Sequence, residues 1–311
     1  MDSLLHVAIV LMTFFTLALG ADWIVDAAAR IAKRMGISEL VIGLTIVAFG
    51  TSAPEFGVTI MAAFRGAADI SVGNIIGSNI FNLGFILGGT AMVTQLHTSA
   101  KVGKRDILIL LLGTILLSVF ILDDYILNRF EGSVLFIALI GYIIYLYVHK
   151  DPFETEIPAG DFRWLHGLKL IAGLAVLLIS THFLIDSATA LARSFGISEW
   201  VIGVTIIAAG TSAPEFATAI LAAVRGHHGI SIGSLIGSDI FNIFGVLGLA
   251  GMLQNLHVSP DSMFSILFLI GMVVVVGGLI KFNKEQILSW QKGMVLVGLG
   301  LLRWLISFNV H

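Results

Sequence analysis

Residues 43–88 read GLTIVAFGTSAPEFGVTIMAAFRGAADISVGNIIGSNIFNLGFILG, and residues 203–248 read GVTIIAAGTSAPEFATAILAAVRGHHGISIGSLIGSDIFNIFGVLG. The stretches align without a gap at an offset of 160 residues, and each sets one glutamate, Glu55 or Glu215, in an otherwise apolar run. An ionisable side chain at membrane depth is costly and by default marks function. A doubled acid in a doubled segment predicts two halves facing each other across one site.

The rest of the chain supplies the setting. It is 57% hydrophobic and 12% charged, against about 25% charged in a soluble domain. A net charge of −3 offers no nucleic-acid surface. The absence of cysteine excludes disulfides, thiolate metal sites and cysteine nucleophiles. A spanning helix needs about 20 apolar residues. Ten spans are expected, at 4–30, 38–64, 69–95, 106–122 and 132–149, then 166–192, 198–224, 230–255, 263–280 and 291–308. The first span is not read as a cleaved leader. No basic residue precedes it, and Gly36-Ile37-Ser38-Glu39 at its end recurs as Gly196-Ile197-Ser198-Glu199.

Five spans separate each position from its copy, and an odd number reverses the direction of insertion. The expected fold is an all-α integral membrane protein of ten transmembrane helices in two inverted five-helix repeats with broken helices at the site, an arrangement common in secondary transporters. Residues 1–150 form the first repeat, 151–165 a short cytoplasmic linker and 166–311 the second repeat. With the N-terminus outside, Arg30, Lys33, Arg34, Lys101, Lys104, Arg105, Lys150, Arg163, Lys169, Arg225, Lys281, Lys284 and Lys292 fall inside. Only Arg65, Arg129, Arg193 and Arg303 fall outside or near the outer end of a span. This bias predicts a multi-pass protein of the cell membrane with both termini outside.

Two motifs carry the chemistry. The first is Gly50-Thr51-Ser52-Ala53-Pro54-Glu55, repeated as Gly210-Thr211-Ser212-Ala213-Pro214-Glu215. Proline inside a helix removes a backbone hydrogen bond. A break at membrane depth is tolerated where the freed groups line a cavity, and the carbonyls of Ala48 and Ala208 are the candidates. Thr51, Ser52, Thr211 and Ser212 lie within a turn of a glutamate. Carboxylate, hydroxyl and carbonyl oxygens together suit hard cations, calcium above all. The bland reading is a kinked helix with a protonated, hydrogen-bonded glutamate; the motif's appearing twice argues against it.

The second motif is Gly77-Ser78-Asn79-Ile80-Phe81-Asn82, repeated as Gly237-Ser238-Asp239-Ile240-Phe241-Asn242. Ser78 and Asn82 are four apart and share a helix face, as do Ser238 and Asn242. The bland reading is polar glue between membrane helices. Asp239 breaks the symmetry, its counterpart being Asn79. It lies about 60° from Asn242 on an ideal helix, placed either to face the site or to pair with a polar neighbour. His227-His228 reads as a solvated loop and His182 as a packed residue. Asp26 and Asp186 read as helix packing or capping, and Tyr142, Tyr145, Tyr147, Trp290 and Trp304 as interfacial anchors.

These motifs closely resemble those of the cation/calcium exchanger superfamily, and of prokaryotic sodium/calcium exchangers in particular, whose repeats read GTS-x-PE followed by GSN-x-x-N or GSN-x-x-D. The resemblance runs the length of the chain. It implies a secondary antiporter exchanging sodium for calcium by alternating access, with no cofactor and with calcium, sodium and the lipid bilayer as its partners. Glu55 and Glu215 would be the principal ligands. Thr51, Ser52, Thr211, Ser212, Ser78 and Ser238, with the Ala48 and Ala208 carbonyls, would complete the ion shells. Asn82 and Asn242 would supply the second-motif ligands, and the first helix of each half would slide against this core. One departure stands out: those exchangers often carry aspartate where this chain has Asn242, and the acid here sits three residues earlier, at Asp239.

The paired acids give exchange its logic. Empty and ionised, Glu55 and Glu215 repel each other in a low-dielectric site, so closure requires cargo. Protons could also neutralise them, which leaves a proton/calcium or other divalent cation antiporter as the alternative. A channel would rest on symmetric rings. An intramembrane serine protease would need a base beside its nucleophile. Nothing in the sequence calls for an obligate protein partner.

Overall fold

The computed structural model describes residues 2–99, 102–149, 163–197, 202–281 and 287–309. Most of the linker at 151–165, Lys101, Lys150, Lys284 and Glu199 lie outside these residues. Among the described residues the chain is helical apart from two short strand pairs. The helices are α1 (Asp2–Met35), α2 (Glu39–Thr51), α3 (Ala53–Phe64), α4 (Ala68–Val93), α5 (Lys104–Leu122), α6 (Arg129–Val148), α7 (Leu165–Ser194), α8 (Thr205–Thr211), α9 (Ala213–Val224), α10 (His228–Leu253), α11 (Pro260–Lys281) and α12 (Trp290–Asn309).

Seven of these described helices are long and apolar enough to cross a membrane, and nine spans result if α2 with α3 and α8 with α9 each make one bent span. The expected tenth span, 291–308, coincides with α12. That helix is 20 residues long.

Each site-bearing hairpin turns on a glycine. Gly66, with φ of 74°, ends α3, and Gly226, with φ of 82°, ends α9. Left-handed backbone of this kind costs glycine little. The chain reverses at once, with Ala67 N–H donating to Ala62 O at 2.9 Å and His227 N–H to Ala222 O at 2.8 Å. Each broken helix thereby lies against the helix carrying its own second motif.

α10 is almost wholly buried and is the axis of the molecule. It meets α2 backbone to backbone. A Cβ on Gly233 would lie 2.6 Å from Leu40 O, and one on Gly237 would lie 2.6 Å from Leu44 Cα. Small residues permit such approach between membrane helices. The repeat mates differ: no described atom lies within 4 Å of a Cβ built on Gly73 or Gly77.

The long helices α1 and α7 pack along each other on the outside of this core. They cross at Gly20 and Gly173, where a Cβ on either glycine would come within 3.0 Å of the other's carbonyl oxygen. Asp26 ties the pair, accepting from Arg30 Nε at 2.8 Å and from Lys169 Nζ at 2.5 Å. α7 also leans on both breaks. A Cβ on Gly50 would meet Leu174 Cδ2 at 2.5 Å, and one on Gly210 would meet Ile185 Cγ1 at 2.4 Å.

The strand pairs join the two halves. Leu96–His97 pairs antiparallel with Ile287–Leu288, and Ile126–Leu127 with Leu256–His257. Three sequence expectations are corrected. Tyr142 is not an interfacial anchor: it is buried and its hydroxyl donates to Asp106 Oδ1 at 2.8 Å. His227 is not solvated, since its Nδ1 lies 2.8 Å from Glu39 Oε1, and the neighbouring His228 Nε2 lies 3.3 Å from His97 Nδ1. His182 is not packed; it is largely exposed beside Asp186, at 3.4 Å.

Candidate cation site

The site begins at the two breaks. Pro54 and Pro214 lack the N–H that would bond to the residue four positions back, and their rings crowd that carbonyl. Glycine at 50 and 210 leaves room there. The axis bends by 51° between α2 and α3 and by 54° between α8 and α9. A widened π-turn precedes each break, at Gly43–Val47 and Gly203–Ile207, and another opens beside each second motif, at Asn82–Leu87 and Phe241–Leu247. Such turns often accompany functional sites.

The Ala48 carbonyl is not freed by the proline as expected from the sequence. It accepts the Ser52 N–H at 3.0 Å, the Thr51 hydroxyl at 3.3 Å and the Ser238 hydroxyl at 3.5 Å. Pro54 removes the donor to residue 50, not to residue 48. Ala48 still points its oxygen at the opposite half, through Ser238. Ala208 opens the matching turn, Ala208–Thr211.

Around the breaks the two halves interlock with near two-fold symmetry. Ser78 donates to Glu55 Oε1 at 3.2 Å and Ser212 donates to the same oxygen at 3.4 Å. Ser238 donates to Glu215 Oε1 at 3.4 Å and Ser52 donates to it at 3.2 Å. Each glutamate is thus held by the second-motif serine of its own half and the first-motif serine of the other. Ser78 and Ser212 lie 3.1 Å apart, and Thr51 and Ser238 3.4 Å apart. Thr211 is buried at the matching position.

The second motifs split their work. Ser78 and Ser238 reach the glutamates, whereas Asn82 donates to Asp239 Oδ1 at 3.0 Å and Asn242 donates to Asn79 Oδ1 at 2.9 Å. Asp239 therefore pairs with a polar neighbour across the halves. Glu55, Asn79, Asn82, Ser52, Ser212, Asp239 and Asn242 are fully buried and Glu215 is 1% exposed.

Glu55 Oε2, Glu215 Oε2, Asn82 Oδ1, Asn242 Oδ1 and Asp239 Oδ2 are buried with no hydrogen-bond partner among the described residues. Buried polar atoms are normally paired, and an unpaired buried charge is expensive. The acids have no basic partner among the ion pairs of the described residues. A set of acceptors without donors is complementary to cations. Among the described residues no three His, Asp or Glu side chains gather as a metal-binding group. The set is two glutamates amid neutral oxygens, chemistry that suits hard cations.

The sequence reading missed a supporting layer. Asn74 donates to Thr59 Oγ1 at 3.1 Å and to Glu55 O at 3.4 Å, and Ser71 donates to Thr59 O at 2.9 Å. The signal was helical spacing: Thr59 follows Glu55 by one turn and Asn74 precedes Ser78 by one turn. The motif serines, for their part, bond to glutamates and hydroxyls, while His182 faces outward beside Asp186.

Comparison with known proteins accords with this geometry. A family described as sodium/calcium exchanger protein matches residues 5–148 and again 166–308. The putative antiporter CaxA of Alkalimonas amylolytica is 36% identical over 295 residues, covering 89% of this chain and 92% of that protein. The sodium/calcium exchanger MaX1 of Methanosarcina acetivorans is 31% identical, covering 82% and 85%. The solved structure of the sodium-calcium exchanger NCX_Mj superposes with a TM-score of 0.83 at 30% identity, covering 96% of this chain and 97% of that one. Twofold family coverage, relatives matched nearly end to end and a shared fold lead to one assignment: the chain belongs to the sodium/calcium exchanger family of multi-pass membrane proteins.

Proposed function

We propose that the chain is a secondary antiporter that exchanges sodium for calcium across the cell membrane by alternating access. The observation that carries this reading is the cluster of buried acceptor oxygens without donors among the described residues at Glu55, Glu215, Asn82, Asn242 and Asp239. Glu55 and Glu215 are the shared ligands of both cations. The hydroxyls of Thr51, Ser52, Ser78, Thr211, Ser212 and Ser238, with the Ala48 and Ala208 carbonyls, fill the remaining positions. Calcium as cargo neutralises both glutamates at once; sodium does so only as several ions. Either lets the halves close over a site that repels itself when empty.

In this reading the chain has ten spans in two inverted halves, 1–150 and 166–311, joined by 151–165, with both termini outside. The cross-half contacts support it. After five spans the second half runs in the opposite sense, so the loop after its third span emerges on the face where the first half has the loop before its fifth. The pairs Leu96–His97 with Ile287–Leu288 and Ile126–Leu127 with Leu256–His257 are such meetings. Asp69 accepting from Ser259 N–H at 2.5 Å is a third contact of that kind. The lysine and arginine bias then sets which face is inside.

Protons are the rival coupling ion, because Glu55 Oε2 and Glu215 Oε2 are free to take them. Calcium-45 uptake into proteoliposomes separates the two. An outward sodium gradient at equal pH is expected to drive uptake and a matched proton gradient is not. Uptake under the proton gradient alone would keep the site and make protonation of the glutamates the switch.

A further inference from the structure

We infer that Asp239 and Asn79 are positioning residues, whose task is to hold the amides of Asn82 and Asn242 with their oxygens turned toward the cations. This rests on the reading of those two amide oxygens as ligands. A side-chain amide is ambiguous, with an acceptor on one edge and two donors on the other. An amide presenting its NH2 edge to a cation repels it. A site that uses amides therefore needs something to fix which way each one faces.

The structure contains that device twice. Asn82 gives its Nδ2 to Asp239 Oδ1 at 3.0 Å, and Asn242 gives its Nδ2 to Asn79 Oδ1 at 2.9 Å. With the donor edge engaged, the opposite edge is the oxygen, and Asn82 Oδ1 and Asn242 Oδ1 are buried without a donor among the described residues, as is the second carboxylate oxygen of Asp239. The pairs are repeat mates: positions 82 and 242 donate, and positions 239 and 79 accept. Asn79 has its own orientation fixed, because its Nδ2 donates to the backbone oxygen of Asp239 at 3.1 Å.

The symmetry also separates the role of Asp239 from its charge. One half uses a carboxylate as the acceptor and the other uses an amide, for the same bond to the same kind of partner. What they share is acceptance of an N–H, not a negative charge. The displaced acid is then a substitute orienter for Asn82 rather than a principal ligand. Partners behind a metal ligand typically matter about 10- to 100-fold in affinity.

The test is calcium binding by isothermal titration to the purified full chain in lipid nanodiscs, with thermal melts to verify folding. Asp239→Asn keeps an acceptor oxygen and is expected to hold affinity within about threefold. Asp239→Ala frees the Asn82 amide to rotate and is expected to weaken calcium binding at least about tenfold. In an Asn82→Ala background the Asp239→Ala change should add less than twofold, because its effect runs through Asn82. An Asp239→Asn loss as deep as that of Asp239→Ala, or an undiminished Asp239→Ala effect in the Asn82→Ala background, would show that Asp239 acts through its own charge and overturn the inference. Full affinity in Asp239→Ala would overturn it too. Failure of the underlying reading looks different: unchanged calcium binding in Glu55→Gln would remove the site itself.

Discussion

Replacing Glu55 or Glu215 by glutamine is expected to abolish both calcium binding and exchange in a protein that still folds. Glutamine keeps the shape of the side chain and the serine contacts to its oxygen, so only the charge is removed. Two unit charges about 4 Å apart at an effective dielectric of 20 interact by about 4 kcal/mol, close to three decades in affinity, and calcium carries two. The same change should make the empty protein sturdier. Both carboxylates are buried and have no basic partner among the ion pairs of the described residues, and relieving one such charge removes a desolvation cost. The expected pattern is a higher melting temperature in ion-free buffer, no further rise on adding calcium, and no calcium-45 uptake. Near-normal uptake in either variant would overturn the assignment of the glutamates.

The second large effect is at a glycine. Gly237→Ala places a methyl group 2.6 Å from Leu44 Cα and 2.7 Å from its carbonyl oxygen. Backbone cannot swing aside as a side-chain tip can, so α2 and α10 must separate. Overpacking of this kind costs about 1–3 kcal/mol, and here it falls one residue from Ser238. A clear drop in melting temperature and weaker calcium binding are expected. Gly77→Ala, the same change at the repeat mate, meets no described atom within 4 Å. Alanine is about 1 kcal/mol better than glycine in a helix interior, so that variant should melt at the same temperature or above. Equal destabilisation of the two would show that the seam does not distinguish the halves.

Much of this was legible in the residues. The offset of 160 between GTSAPEF copies announced two related halves, and the cost of a buried acid picked out Glu55 and Glu215 before any geometry. Pro54 and Pro214 marked the breaks, because the missing N–H is a local property. What depended on contacts between distant segments was not legible. Nothing near Tyr142 in sequence says that Asp106 waits for its hydroxyl, and nothing near His227 points to Glu39, 188 residues away. The Ala48 carbonyl was misread by register alone: Pro54 removes the donor to residue 50, and the Ser52 N–H keeps its bond to Ala48. Asp239 stood out as an asymmetry, but only the meeting of Asn82 with Asp239 and of Asn242 with Asn79 gives that asymmetry a job.

The unequal seams carry a consequence for the transport cycle. When two inverted halves take turns, each adopts in one half-cycle the packing its twin shows in the other. α10 is now clasped by α2 along Gly233 and Gly237, while no described atom lies within 4 Å of a Cβ on Gly73 or Gly77. If the proposed alternating access holds, this is where α8 would settle against α4 in the opposite half-cycle, as α2 now settles against α10. Glycine at 77 would then be idle in the state seen here and indispensable in the one that follows. A bulky residue there would act as a ratchet pawl, leaving calcium binding and the melting temperature intact while turnover stops. Because the chain has no cysteine, a single cysteine introduced near α8 would report which face stays open to a membrane-impermeant thiol reagent.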